Sequence, residues 1–241
     1  MLTFVIVLLS GLTVLIVAAG WIVTFAVNRL IYPSRSLAGG IPSDYGLPCE
    51  KVSFPSLDGT TLRGWFVRAT NPRGTVIFCH GYAGSKAPDL QYAPRFREHG
   101  YNVLLFDFRA HGESNGDKSS LVYYERGDLL AAIAYVQQHG INQVGLMGFS
   151  MGAAVAVATA PFTESVRAVI ADSGFAELKT VVSHGLQKRG FPPLIASFLA
   201  VLVIGVAGHR LGCHLPDSDS LRLANHLAPR PLLIIHGGQD Q

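Results

Sequence analysis

Ser150 stands in Gly148-Phe149-Ser150-Met151-Gly152, where an apolar run, Val144–Phe149, meets a segment of small residues. A serine hydroxyl attacks poorly until a base takes its proton, and it must stand clear of the backbone on a sharp strand-to-helix turn. The flanking glycines let strand and helix approach with no Cβ between them. This spacing suits attack on an acyl carbonyl, whose oxygen becomes an oxyanion and needs N–H donors already in place. Met151, opening the next helix near the positive end of its dipole, offers one. The loop His80-Gly81-Tyr82-Ala83-Gly84, after the apolar run Thr75–Cys79, is expected to supply the second through the N–H of Tyr82.

The same spacing recurs in Gly112-Glu113-Ser114-Asn115-Gly116. There the serine is set apart from the preceding apolar run, and Asp117-Lys118-Ser119-Ser120 follows, which is loop chemistry. Ser114 is therefore read as a loop residue. The nucleophile's base needs an orienting carboxylate. Asp240, after the run Leu232–Ile235 and a glycine turn, is the expected acid, with Asp172 at the end of Arg167–Ala171 as runner-up. Asp107 is expected to hold the loop Arg109–Gly112.

Apolar runs alternate with helical patterns along the chain. A hairpin is expected from Lys51–Phe54 and Thr61–Arg68, with Asp58-Gly59 in its turn. Strands are read at Thr75–Cys79, Tyr101–Asp107, Val144–Phe149, Arg167–Ala171 and Pro231–Ile235, and helices at Leu90–His99, Leu121–His139 and from Met151. Strands apolar on both faces and separated by helices predict an α/β fold, a mostly parallel sheet covered on both sides.

Residues 1–30 form an apolar segment whose first charged side chain is Arg29. It exceeds the roughly 20 residues that span a bilayer core, and its length and lack of a basic start favour an uncleaved anchor over a signal peptide. Arg29 and Arg35 follow it, which predicts a single-pass protein with the following domain in the cytoplasm. Residues 31–48, rich in Pro and Gly, read as a linker, and residues 49–241 as the catalytic domain, with an insert at about 174–229. Within the insert, Leu194–Ala207 is expected to be an apolar lid over the active site rather than a membrane-dipping segment or a second span. A single span there would put Pro231–Ile235 across the membrane from Ser150.

The 241 residues carry a net charge of +3 with no basic run, which argues against nucleic acid as a partner. Three cysteines, Cys49, Cys79 and Cys213, form no metal or disulfide pattern, and Cys79 reads as a small core residue. The nine histidines are scattered, so no metal and no cofactor are expected.

The landmarks Leu57-Asp58-Gly59, Leu62-Arg63-Gly64-Trp65, His80–Gly84, Asp107–Ser114, Gly148–Gly152, Ala171-Asp172-Ser173 and Ile235–Asp240 follow one another in an order that resembles the α/β-hydrolases. The likeness is to membrane-anchored abhydrolase-domain members, similar to monoglyceride lipases and serine aminopeptidases, and runs from about Tyr32 onward. It implies an α/β-hydrolase fold with an N-terminal β-hairpin and an apolar lid. It also implies Ser150 as nucleophile, Asp240 as acid, and Tyr82 and Met151 as oxyanion donors. In that family a base histidine follows the acid. Every histidine here precedes Asp240, so the base, the last strand and the final helix are expected beyond Gln241. The expected function is a serine hydrolase of esters, thioesters or acyl lipids through an acyl-enzyme. A peptidase on the same fold, or an inert hydrolase-like fragment, is the alternative.

Overall fold

The computed structural model describes Met1–Gly238; Asp240, the expected acid, lies outside the described residues. Seven strands form one sheet: β1 (Cys49–Pro55), β2 (Thr61–Val67), β3 (Gly74–Cys79), β4 (Tyr101–Asp107), β5 (Val144–Phe149), β6 (Val166–Asp172) and β7 (Leu232–Ile235). Their order is β1-β2-β4-β3-β5-β6-β7. The hairpin β1–β2 is antiparallel and joins β4 antiparallel; every later pairing is parallel. β3 and most of β4 are buried on both faces, as their unbroken apolar runs require.

The helices are α1 (Leu2–Ile31), α2 (Ala93–Glu98), α3 (Glu125–Gln138), α4 (Met151–Thr159), α5 (Leu178–Gln187), α6 (Pro193–Leu211) and α7 (Ser220–Ala224). Two are shorter than the sequence predicts. The Leu90–His99 pattern divides into a 3-10 turn, Pro88–Tyr92, and α2, whose start carries a proline. α3 begins at Glu125 rather than Leu121. The buried Glu125 carboxylate accepts bonds from Ser119 Oγ, Ser120 Oγ and Ser120 N–H, and Leu121 is held at φ 65°. Those contacts draw the preceding residues out of helical geometry.

α1 is long and apolar enough to cross a membrane, and its N-terminal stretch is exposed. Its last turns belong to the folded body. Val23, Val27 and Ile31, one helical face, are buried in the main core. Ser119 N–H caps the Ile31 carbonyl at 2.9 Å, and Arg210 donates to Asn28 Oδ1 at 2.8 Å. The segment after α1 is likewise tied down: Arg35 donates to the carbonyls of Gly112 and Ser114.

The insert forms α5, α6 and α7. α6 also has the length and composition of a span, with 44% of its apolar window buried in the protein. β6 and β7, which flank the insert, are hydrogen-bonded neighbours in one sheet, so α6 does not carry the chain across a bilayer. It packs against α5 and α1.

Candidate active site

The carboxyl ends of β3, β5, β6 and β7 open on one edge of the sheet, where parallel α/β folds bind ligands. Ser150 is at that edge with φ 50° and ψ −111°, a left-handed-side conformation that L residues adopt only under local constraint. The constraint is visible. Ser150 N–H donates to the Asp172 carbonyl at 2.8 Å. A Cβ on Gly148 would overlap the Gly152 carbonyl, and one on Gly152 would overlap the Cys79 carbonyl. Strand, turn and helix meet here at distances only glycine permits.

Met151 is the first residue of α4, so its N–H has no acceptor within the helix. The β3 loop lies alongside: a Cβ on Gly81 would stand 3.5 Å from Ser150 Cβ. Tyr82 follows directly. Its ring packs edge-on against His111 at 5.7 Å, and its hydroxyl donates to the Arg29 carbonyl at 2.6 Å. Burial pushes that phenol up to about 12.

A cleft of about 500 Å³ opens beside Ser150. Its walls include Ser173, Glu177, Thr180, His184, Lys188 and His236. The covering element is α5 together with the segment leading into it. The apolar stretch Leu194–Ala207, expected as the lid, lies in α6 and does not border the cleft. One face of it packs against α5 and α1, while Leu194, Ile195, Phe198 and Val201 are exposed. The α5 residues were missed in the sequence because a helix in an insert has no fixed offset from the nucleophile. The only signal was α5's amphipathic spacing.

Several other polar residues singled out in the sequence are engaged in structural contacts. His80 is buried with both nitrogens engaged: Nδ1 donates to the Gly81 carbonyl at 2.7 Å and Nε2 accepts the Phe108 N–H at 3.0 Å. Burial lowers it to about 4, which keeps it neutral. His111 is buried too, and burial lowers it. Its Nδ1 donates to the Arg109 carbonyl. Ser114 Oγ donates to the Asp107 carbonyl at 2.6 Å and accepts the Arg63 N–H at 2.9 Å, which fits a loop residue. Asp107 accepts from Glu113 N–H, one residue past the loop it was expected to hold, and from Lys86 N–H and Nζ. Arg109 is held instead by Asp128, Asp58 and Ser56. Asp172, the runner-up acid, accepts from Ser173 Oγ at 2.9 Å. Among the described residues no group of three or more His, Cys, Asp or Glu is arranged to hold a metal ion.

The family model of the alpha/beta hydrolase fold matches residues 74–212, which include the β3 loop, Ser150 and most of the insert. The chain belongs to the alpha/beta hydrolase family. Among relatives, the protein YfhR of Escherichia coli is 31% identical over 228 residues, covering 89% of this chain and 70% of YfhR. YqkD of Bacillus subtilis is 34% identical over 202 residues, covering 79% of this chain and 64% of YqkD. The thiohydrolase aneE of Aspergillus aculeatus is 27% identical over 196 residues, covering 78% and 60%. Of solved structures, the Pyrococcus furiosus esterase Pf2001 superposes with a TM-score of 0.66 at 24% identity, covering 88% of this chain and 89% of that one.

Proposed function

We propose that the protein is a membrane-anchored serine hydrolase that cleaves carboxylic esters, thioesters or acyl lipids. The observation that carries this reading is the strained Ser150 turn opening into the cleft. A base takes the Ser150 proton as Oγ attacks the acyl carbon. The N–H groups of Met151 and Tyr82 receive the developing oxyanion. The leaving group departs with the proton, and water then cleaves the acyl-enzyme by the same steps. Asp240 is assigned as the acid that orients the base. The thiohydrolase and esterase named above are consistent with acyl transfer to water.

The anchor reading is supported by the last turns of α1, whose packing and capping would be lost if the segment were a cleaved signal. Arg29, in the last turn of α1, and Arg35 just after it favour the cytoplasmic side for the hydrolase domain.

Glu177 in the cleft favours one alternative, a peptidase that pairs this carboxylate with a substrate's terminal amine. Lys188 in the same cleft offsets that charge.

A fluorophosphonate probe tests the serine assignment. Labelling is expected in the full-length protein and lost in its Ser150→Ala variant; equal labelling of the variant would refute it. Hydrolysis of aminoacyl amides in preference to acyl esters would favour the peptidase.

A further inference from the structure

We infer that the anchor helix forms one wall of the acyl-binding site, so that an acyl chain runs from the Ser150 cleft into a groove between α1 and the insert. This deepens the function proposed above and rests on Ser150 being the acylated residue. The groove holds about 360 Å³. Ile22, Phe25 and Ala26 of α1 face Val182 and Leu186 of α5 and Val203 of α6 across it.

Three observations assign the groove to an acyl chain. First, groove and cleft adjoin, with Val181 and Gly185 lining both. Gly185 adds no side chain to the shared wall; what stands there is the Arg189 guanidinium, which donates to the Gly185 carbonyl at 2.8 Å. Second, the chemistry changes along the path. The cleft carries Glu177, His184 and Lys188, whereas the groove is apolar apart from Arg29 and Arg189 and has no carboxylate. A polar scissile group at one end and a hydrocarbon tail at the other match that gradient. Third, the apolar wall continues the exposed, membrane-length face of α1, with Trp21 and Phe25 stacked at 5.7 Å at the groove. A chain leaving a bilayer along α1 meets the groove without crossing water.

Dodecanoic acid bearing a diazirine at its ω carbon tests the route, with Ser150→Ala full-length protein in mixed micelles so that binding is read without turnover. Photo-crosslinks, mapped by mass spectrometry, are expected on the α1 stretch 22–26 and on α5. Excess unlabelled dodecanoic acid should compete them away, and the butanoic analogue should not produce them. Ala26→Trp fills the groove and should cut that labelling by about tenfold, since each buried methylene contributes roughly fourfold to binding. Gly185→Leu, which closes the passage from the other side, should do the same. Labelling confined to residues 2–20, labelling that excess fatty acid does not displace, or labelling undiminished in both variants would overturn the proposal. Loss of fluorophosphonate reactivity in the unaltered protein would refute the serine assignment and leave this readout standing.

Discussion

The hydroxyl of Tyr82 donates to the main-chain carbonyl of Arg29 at 2.6 Å. That carbonyl is in the last turn of α1, where helix carbonyls lack partners within the helix. The residue proposed as oxyanion donor is thus fastened to α1 through its own side chain. Tyr82→Phe removes the fastening and keeps the ring against His111. Stability should fall by about 1 kcal/mol, the worth of one hydrogen bond. If the bond also positions the loop, ester kcat should fall between about three- and thirtyfold, short of the hundredfold or more for losing an oxyanion donor outright. Thermal unfolding and steady-state rates check the two parts separately.

Gly152→Ala should damage both fold and chemistry. The added methyl would overlap the Cys79 carbonyl, so β3 or α4 must shift. We expect a loss of about 1–3 kcal/mol or more in urea unfolding, with fluorophosphonate labelling of Ser150 abolished. Gly185→Ala, which meets only an arginine tip, is expected to leave stability nearly unchanged.

Arg109 neutralises Asp128, which is fully buried and bonded to it at 2.7 Å. Arg109→Ala leaves that carboxylate enclosed without a counter-charge. The expected destabilisation is about 3–5 kcal/mol in chemical denaturation. Arg109→Ala combined with Asp128→Asn should recover a substantial part of it.

Asp89 sets a pH dependence. Burial raises its carboxyl to about 7, and its Oδ2 is enclosed with no hydrogen-bond partner. The unfolded chain releases this proton at about pH 4, so above that pH the folded protein holds more protons than the unfolded one. This group's contribution is therefore most favourable below about pH 4, declines as pH rises, and reaches its full cost above about pH 7. Asp89→Asn should raise the melting temperature at about pH 8, by up to about 4 kcal/mol in stability, and have little effect near pH 4. A gain equal at both pH values would show that the carboxylate is not the cause.

Much of the site was legible because its signals are local. Gly148, Ser150 and Gly152 sit at a junction where an apolar run gives way to small residues, and the structure shows the close approaches that require the glycines. The sheet was legible from the same alternation of runs. What sequence could not show depends on contacts between distant segments. Arg35 was read as a charge that sets membrane orientation; it also binds carbonyls some eighty positions away. Val23 and Val27 looked like anchor and Ile31 like linker, yet all three pack in the domain core. Leu194–Ala207 looked like a lid, but it stands away from the cleft, with one apolar face packed on α5 and α1 and the other exposed. Glu125 and its serine partners moved the start of α3, which a helical pattern cannot anticipate.

The docking of the last turns of α1 leaves Leu2–Gly20 free of the body, about 28 Å of helix at 1.5 Å per residue, close to the thickness of a hydrocarbon core. In the anchored form proposed above, no slack tether joins this stretch to the body, and the hydrolase would rest flush on the lipid surface at a fixed height and tilt, drifting in two dimensions. What it meets would be governed by the makeup of one leaflet rather than by concentrations in the surrounding fluid.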